Sequence, residues 1–416
     1  MGYTLIEKLI AKASGKKEIK SGEIVFVSPH RVLSHDNSSA ISKTFASMGA
    51  KKVWDANRIF IALDHNVPPP DERKALNHKV IREFVAEQGI KYFYDCGIGI
   101  CHQVLPEYGH TLPGTIILGS DSHTTTHGAF GAAGIAIGRT ETASVWAIGE
   151  TWLMVPQTIK INLHGRLKKG VSAKDIILYI IGQLGADGAD YQAVEFYDYL
   201  EPHLSISGRM TICNMAAEMG AKTAIFPYDE ITGEWLRNRV KEPYESIKAD
   251  PDAEYERVIE YDLTHLFPQV ACPHKVDNVK PVKELAEIKI DVALLGTCTN
   301  GRLDDLEIAA HILHNKKISQ GVRLLVYPAS QQVLCEAIRD GIIEKIISAG
   351  GEVAIPSCGP CLGAYGGILA PGEKCISTAN RNFKGRMGCK ENTEIYLASP
   401  STVAASAIAG YITTEA

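Results

Sequence analysis

Apolar and polar positions along the chain alternate between short strand-like runs and stretches with helical periodicity. This alternation predicts an α/β architecture, in which parallel-rich sheets are flanked by helices. A chain of 416 residues is too long for a single core, so we expect two to three domains. The clearest apolar runs, typical of buried parallel strands, begin at Arg58, Lys91, Gly114, Asp291 and Glu352.

Changes in this pattern suggest where the domains meet. An alternating segment from Thr158 predicts the start of a second unit, and the polar segment 272–281 is interpreted as a linker into a third. The charged span 238–261 is expected to be a surface excursion. The predicted domains are residues 1–156, residues 157–275, and residues 276–416, which carry the three candidate metal-binding cysteines.

Side chains capable of proton transfer or metal binding follow the five apolar runs. In parallel α/β sheets ligands bind beyond the carboxyl ends of the strands, so residues at several such ends can meet. One case would mean little, but five strand ends form a pattern. The residues are Asp64 with His65, then His102, then Asp121 with Ser122 and His123, then Cys298, and finally Cys358.

Three of the ten cysteines indicate a metal site. Cys358 and Cys361 form a CxxC pair, and Cys298 lies in Gly-Thr-Cys-Thr-Asn-Gly. A structural zinc needs four protein ligands and a closed iron–sulfur cluster normally takes four cysteines, so three ligands leave one metal corner open. An open corner favours Lewis-acid catalysis. From these residues alone, a redox dithiol or half of a zinc knuckle is also possible, and the other cysteines are expected to be small core residues.

The histidines at the strand ends lie beside acids or in glycine-rich turns. A neighbouring carboxylate fixes a histidine's tautomer and raises its basicity, which suits proton transfer near neutral pH. Taken singly, His65, His102 and His123 are equally typical of hydrogen-bonded surface residues. Glu218 lies in a mostly apolar helical stretch and, if buried, needs a partner such as a histidine.

Two further segments are ambiguous. Arg381 and Arg386, five residues apart in a loop with Gly and Asn, could bind two carboxylates, although a solvated basic turn has the same composition. The glycines of 131–138 do not have the spacing of a dinucleotide-binding loop. We interpret them as a place of close helix packing.

The composition and charge of the chain mainly exclude classes of function. The net charge of −5 is dispersed, so phosphate-based binding to nucleic acid is not expected. The longest apolar stretches are far shorter than the ~20 residues that span a bilayer, so no membrane partner is expected either. The start of the chain does not resemble a signal peptide. We therefore expect a cytoplasmic protein with reduced thiols.

The assembled motifs identify a family resemblance that covers essentially the whole chain. The chain resembles the aconitase superfamily, and within it the large subunits of the 3-isopropylmalate dehydratase and homoaconitase group. The motifs are Leu63-Asp-His, Gly99-Ile-Cys-His-Gln, Gly119-Ser-Asp-Ser-His-Thr, Thr211-Ile-Cys-Asn-Met, Gly296-Thr-Cys-Thr-Asn-Gly-Arg, Ser357-Cys-Gly-Pro-Cys and Asn380-Arg-Asn-Phe-Lys-Gly-Arg-Met-Gly.

The resemblance implies a three-domain aconitase-like architecture and one [4Fe–4S] cluster with a labile fourth iron that binds substrate. It implies cluster ligation by Cys298, Cys358 and Cys361. The implied catalytic residues are Asp64, His65, His102, Asp121, His123 and Glu218; the implied substrate-binding residues are His35, Ser122, Arg381 and Arg386; Asn214 and Asn380 would lie beside the cluster. Around His35, the continuation Asn37-Ser38-Ser39 departs from the glycine–threonine usual in the family.

The resemblance also implies a partner and a reaction. The chain matches the first three domains of the family, so a separate small subunit is expected to supply the swivelling fourth domain, the catalytic serine and the loop that sets specificity. The implied activity is that of a hydro-lyase on a small 2-hydroxy acid, foremost isopropylmalate in leucine biosynthesis. Homoaconitase and dimethylmalate-type dehydratases are alternatives, and an iron-responsive RNA-binding protein is an alternative of another class that the acidic balance disfavours.

Overall fold

The computed structural model describes residues 2–285 and 287–414, whose strands form four sheets. The α-helices are α1 (Leu5–Ser14), α2 (Ser38–Ser47), α3 (Glu72–Gln88), α4 (Cys101–Glu107), α5 (Arg139–Ile148), α6 (Ala173–Leu184), α7 (Ile206–Ala216), α8 (Glu230–Leu236), α9 (Thr297–Asn300), α10 (Leu303–Leu313), α11 (Gln331–Arg339), α12 (Ile342–Ala349) and α13 (Pro400–Ala409). Single 3₁₀ helices cover Ser122–Phe130, Ala217–Met219, Val282–Glu284 and Gly359–Leu362.

The first large sheet has five parallel strands. Three of them are wholly buried, which explains why they read as continuous apolar runs. Because all five are parallel, the loops that follow them leave the same edge of the sheet. The spatial order is β4 (Tyr92–Tyr94), β3 (Ile59–Ala62), β2 (Arg31–Ser34), β5 (Ile116–Gly119) and β6 (Ala133–Ala136). A separate antiparallel ribbon pairs β1 (Ile24–Val27) with β7 (Thr151–Met154).

The glycine-rich segment 131–138 contains strand β6, and a helix packs closely against it, as predicted. A Cβ atom on Gly134 would overlap the carbonyl oxygen of Thr124, in the 3₁₀ helix Ser122–Phe130. The absence of a side chain therefore lets the segment that follows Asp121 lie directly against the strand.

The second sheet contains four parallel strands in the order β10 (Thr223–Ile225), β9 (Ala193–Leu200), β8 (Thr158–Gly165) and β11 (Arg257–Asp262). Helix α6 begins with a capping box in which Ser172 and Asp175 satisfy each other's backbone N–H groups. Its isoleucines are buried in the core beneath this sheet, together with one face of α7.

The third sheet has seven strands and carries the cysteine loops. Its order is β13 (Val279–Pro281), β12 (Gln269–Ala271), β18 (Glu394–Leu397), β17 (Lys374–Ser377), β14 (Val292–Gly296), β15 (Arg323–Tyr327) and β16 (Glu352–Val353). The segment 272–281, predicted to be a linker, instead closes an antiparallel hairpin between β12 and β13 at the sheet edge. Three-residue strands that contain proline give no recognisable pattern in the sequence.

The charged surface segment predicted at 238–261 is bound to the N-terminal part of the molecule, and its last residues form part of β11. Residues 239–255, which we term the strap, make ion pairs from Glu242 to Arg31 and from Asp250 to Lys8. A Cβ atom on Gly109 would overlap the carbonyl oxygen of Arg239, so this glycine allows the two backbones to touch. The strap therefore ties the second part of the chain to the first.

The three large sheets occupy successive stretches of sequence, residues 31–136, 158–262 and 269–397. The strand at 269–271 precedes the expected start of the third domain at residue 276. The domain boundaries themselves stay a prediction.

Candidate active site

The predicted site residues come together in one cavity of about 270 Å³ where the first and third sheets meet. A larger cavity of about 960 Å³ along α10 contains none of them. Asp64, Asn214 and Glu218 do not line the smaller cavity, but each hydrogen-bonds to a residue that does. Its lining includes His35, His65, His102, Asp121, Ser122, His123, Cys298, Cys358, Cys361, Asn380, Arg381 and Arg386.

Two strained turns direct the cysteines into this cavity. Strand β14 ends at Gly296, whose φ of 123° and close contact with the carbonyl oxygen of Tyr327 exclude a side chain. Thr297 follows with a φ of 67°, unusual for a β-branched residue, and Cys298 comes next. Between the other two cysteines, a Cβ atom on Gly359 would overlap the Tyr327 ring. The backbone therefore fixes all three thiols, which are almost completely buried.

Polar N–H groups point at the cysteine sulfurs. The side-chain amides of Asn214 and Asn380 each donate to Cys298 Sγ at 3.3 Å, and the Arg386 guanidinium donates to Cys361 Sγ at 3.6 Å. Burial raises the pKa of Cys298 to about 11. Sulfur surrounded by N–H donors and a guanidinium is the environment of a negatively charged metal–thiolate group. The residues present thus fit a soft metal or an iron–sulfur centre.

His65 lies at the centre of an acid–base cluster. Its Nδ1 is 2.6 Å from Asp64 Oδ1 and its Nε2 is 3.6 Å from Asp121 Oδ2. Although burial lowers it, the pKa of His65 is raised well above its usual value by the negative charges of Cys358 and Asp64 and by hydrogen bonds to both aspartates. The ring of His35 stacks on it, with centroids 4.0 Å apart. Burial and the charge of His65 lower the pKa of His35 to about 4.

Asp121 connects the histidines on the other side. Its Oδ1 is 2.8 Å from His102 Nε2 and also accepts the backbone N–H of His123 at 2.8 Å. Burial alone would raise the pKa of Asp121, but its hydrogen bonds with His102, His123 and His65 hold it well below the usual value. An ionised carboxylate therefore orients three imidazoles toward the cavity.

Glu218 has the buried partner that the sequence required. Its Oε1 is 2.8 Å from His123 Nε2, and Arg381 Nε donates to both carboxylate oxygens at 2.8 and 3.0 Å. Burial opposes ionisation, yet the hydrogen bond and charge of His123, with Arg381, lower the pKa of Glu218. The predicted loop arginines are thus not a solvated basic turn: Arg381 is anchored by Glu218, and Arg386 is partly buried against Cys361.

Sequence reasoning missed Asp36, which organises the Asp64–His65 turn. Its carboxylate accepts the backbone N–H groups of Asp64, His65 and Asn66 at 2.8–3.0 Å, and lies 2.7 Å from His78 Nε2. The signal that could have found it is its place directly after a strand end, beside His35. Strand β2 has only two apolar residues, Val32 and Leu33, between Arg31 and Ser34, so the sequence does not show it as an apolar run.

Three buried nitrogen atoms of residues that line the cavity have no hydrogen-bond partner among the described residues. They are His35 Nδ1, His102 Nδ1 and Arg386 Nε. Buried polar groups are normally satisfied, so unpaired donors at a cavity indicate that a polar ligand completes them. Because Arg139, Arg381 and Arg386 also line the cavity, a small anionic molecule fits it best.

The chain belongs to the aconitase family: the family model, described as aconitate hydratase, matches residues 7–287 and 278–410. This membership confirms the resemblance inferred from the motifs and the expected hydro-lyase class of enzyme.

Two similar proteins within this family are named as large subunits. A probable 3-isopropylmalate dehydratase large subunit of Methanothermobacter thermautotrophicus is 49% identical over 414 residues, 99% of either chain. A probable methanogen homoaconitase large subunit of Methanosarcina mazei is 51% identical over 382 residues, 92% of this chain and 97% of that one.

Among solved structures, aconitase X of Thermococcus kodakaraensis in its holo form matches with a TM-score of 0.51. It is 15% identical over 88% of both chains, which supports the fold alone. The α/β aconitase-like fold class predicted from the sequence is thereby confirmed.

Family membership supports an iron–sulfur centre, and the description of both relatives as large subunits supports a small-subunit partner. Within residues 2–285 and 287–414, every helix is too short or too polar to cross a bilayer.

Proposed function

We propose that the chain is the large subunit of a [4Fe–4S] hydro-lyase that interconverts 2-isopropylmalate and 3-isopropylmalate in leucine biosynthesis. The observation that carries this proposal is the single cavity in which three cysteines, four histidines and three arginines converge. The relative from Methanothermobacter thermautotrophicus, named for this dehydratase, matches essentially the whole chain and supports the choice of substrate.

In this proposal Cys298, Cys358 and Cys361 hold the cluster, and its fourth iron has no protein ligand and is labile. When bound, the cluster would supply Lewis acidity to the substrate hydroxyl through that iron. Asn214 and Asn380 stabilise the thiolate charge through N–H donation to Cys298, and the guanidinium of Arg386 does the same at Cys361.

Arg381 and Arg386 bind the substrate carboxylates, since guanidinium groups match carboxylate geometry and neutralise its charge. Neutralising the carboxylate beside the reacting carbon makes that carbon's proton easier to remove. Ser122 and the uncharged ring of His35 supply polar contacts to the rest of the substrate. The unpaired His35 Nδ1 and Arg386 Nε support these assignments.

His65 is the proton donor to the departing hydroxyl. Its raised pKa keeps the imidazolium form at neutral pH, while Asp64 and Asp121 hold the ring toward the cavity. His102 and His123 are oriented by Asp121, and Glu218 fixes the second nitrogen of His123. These two histidines exchange protons with the released or entering water.

The base that removes the carbon-bound proton is not assigned within this chain. We propose that a small subunit supplies it as a serine, on a fourth domain that covers the cavity and also carries the specificity loop. The chain alone should then show negligible hydro-lyase activity.

The test is anaerobic reconstitution of the chain with iron and sulfide, with and without the small subunit encoded by the same organism. We expect iron and sulfide in equal amounts, cluster absorbance, and conversion of 2-isopropylmalate only in the two-subunit sample. One zinc per chain without cluster absorbance would contradict the cofactor. Substantial turnover by the chain alone would contradict the split site.

Homoaconitase is the second candidate because the relative from Methanosarcina mazei shares 51% identity over 92% of the chain. Because the specificity loop is proposed to lie on the small subunit, the two-subunit enzyme should be assayed side by side with isopropylmalate, homoaconitate and dimethylmalate. The ratio of kcat/KM values decides among the three substrates.

A further inference from the structure

Lys174 is completely buried, whereas lysine side chains normally lie at the protein surface. It occupies the second position of helix α6, and its side chain is 0% exposed. Its Nζ donates to the carbonyl oxygens of Thr378 and Ala379, both at 2.7 Å. Lysine is almost never fully buried unless its charge is paired, so this position needs an explanation.

The two carbonyls that Lys174 holds belong to the turn that carries the site residues. The Ala379 carbonyl is part of the peptide that joins Asn380, whose side-chain Nδ2 donates to Cys298 Sγ and whose Oδ1 accepts from Cys361 Sγ at 3.5 Å. Thr378 Oγ1 accepts the backbone N–H of Gly296, two residues before Cys298. One amino group from helix α6 thus holds the turn whose side chains contact the sulfurs of Cys298 and Cys361 and the backbone of Gly296.

Lys174 has no carboxylate partner within ion-pair distance among residues 2–285 and 287–414. The adjacent Asp175 points away, toward the backbone N–H groups of Ser172 and Gln269. Burial lowers the pKa of Lys174 to about 7, while the negative charges of Cys298 and Cys361 oppose this most strongly. The thiolates are therefore the natural counter-charge of this ammonium group.

We propose that Lys174 is a positioning residue for the three-cysteine centre: it fixes the 378–380 turn through two carbonyls and places one positive charge behind the thiolates. This inference rests on the proposed function, because it assumes that those cysteines carry an iron–sulfur cluster.

Two substitutions separate the hydrogen bonds from the charge. Lys174→Met keeps the apolar volume but leaves two buried carbonyl oxygens without a donor and removes the charge. Lys174→Gln removes the charge but keeps an N–H donor. Loss of a nearby positive charge disfavours the extra electron of a reduced cluster, so both variants should shift the reduction potential to more negative values.

The experiment uses the full chain, reconstituted anaerobically with iron and sulfide and without the small subunit, so that its readouts do not depend on turnover. The reduction potential is measured by spectroscopically monitored redox titration, and cluster retention by the rate of iron release to a chelator. We expect Lys174→Met to release iron about tenfold faster than the wild type, since outer-shell partners typically change metal affinity by 10–100-fold. Lys174→Gln should release iron more slowly than Lys174→Met while showing the same shift in potential.

Arg209→Met is the matched control. Arg209 is a second buried cation, on the helix that carries Asn214, but it is paired with Asp229 at 2.6 Å and Asp198 at 3.4 Å. Its loss should lower the thermal unfolding temperature and leave the potential unchanged. A merely structural role of Lys174 would give the same result as this control.

Unchanged potentials in both Lys174 variants overturn the inference, and Lys174→Gln decides alone if Lys174→Met does not fold. A wild-type chain that takes up zinc and forms no cluster overturns the proposed function, and the inference with it. If the wild-type chain forms the cluster and the Lys174 variants have its reduction potential and its rate of iron release, only the inference is overturned.

Discussion

Replacing Asp36 by Asn should lower both the stability of the folded chain and the activity of the two-subunit enzyme. Asp36 is 8% exposed, and its carboxylate accepts three backbone N–H groups, from Asp64, His65 and Asn66, besides its contact with His78. An asparagine of the same shape has only one accepting oxygen, and its NH₂ group would face donors. At least one buried N–H is then left without an acceptor.

The magnitude follows from these contacts. A buried hydrogen bond to a charged group contributes about 1.5–3 kcal/mol, and this is lost when a backbone N–H loses its carboxylate acceptor. Although burial alone would raise the pKa of Asp36, the hydrogen bond from His78 and the charge of His65 lower it well below its usual value. A depressed pKa contributes stability that is present above the unfolded pKa of about 3.9 and is lost as the pH falls toward the folded pKa.

The assay is urea unfolding followed by tryptophan fluorescence, because Trp54, Trp146 and Trp152 all lie within the first 156 residues. The free energy of unfolding of Asp36→Asn should fall by about 1.5–3 kcal/mol at pH 7, and the difference from wild type should shrink below about pH 4. In the two-subunit enzyme kcat/KM should fall about 100-fold, the usual effect of a 1 Å displacement of a catalytic group.

The exposed Asp262 is the control, because its carboxylate accepts one backbone N–H, from Thr264, and an asparagine can do the same. Asp262→Asn should change neither stability nor turnover. A stability loss below about 1 kcal/mol in Asp36→Asn, no more than a single neutral hydrogen bond contributes, would refute the reasoning.

Three further outcomes are expected. Cys358→Ala should abolish cluster retention, measured as bound iron and sulfide, whereas Cys389→Ala should leave it intact. Arg381→Ala should raise the pKa of Glu218 by removing a guanidinium, and should therefore move the acidic limb of the pH–rate profile of the two-subunit enzyme to higher pH, together with an increased KM. Gly109→Ala should destabilise the chain by more than about 2 kcal/mol, measured by urea unfolding, because it adds overlap with the strap to the cost of about 1–2 kcal/mol for an L-residue at positive φ.

Gly15→Ala is the control for the last of these, since Gly15 has a similar φ of 68° but open space around it. Equal losses in the two glycine variants would contradict a role for backbone contact with the strap. An unshifted acidic limb in Arg381→Ala would contradict the assignment of Glu218 to that limb. Cluster loss in Cys389→Ala would contradict the choice of ligands.

The sequence predicted structural features that depend on neighbouring residues, but it did not predict those that depend on contacts between distant segments. The run that ends before Asp64 is a buried strand, and such strands must be apolar on both faces, so the strand and its following residues were readable. The linker predicted at 272–281 was wrong because pairing between β12 and β13 depends on the neighbouring strand β18, which lies over 100 residues later.

Lys174 shows the same limit for the site. A lysine beside an acid at the start of a helix is typical of a solvated helix terminus, and its sequence neighbours give no sign of burial. Only the approach of residues 378–379, some 200 positions away, encloses its amino group. Positions whose role is set by distant backbone carbonyls cannot be recognised from a single sequence.

The strap has a consequence for synthesis. Helix α1 is held at its first turn by Glu195, which accepts the backbone N–H of Leu5, and farther along by the ion pair from Lys8 to Asp250 in the strap. A ribosome adds about 5–20 residues per second, so the roughly 240 residues between this helix and the end of the strap take about 12–50 s to make. During that interval the nascent helix lacks its final partners, and its buried face, with Leu5, Ile6 and Leu9, is a candidate surface for chaperone binding on the ribosome.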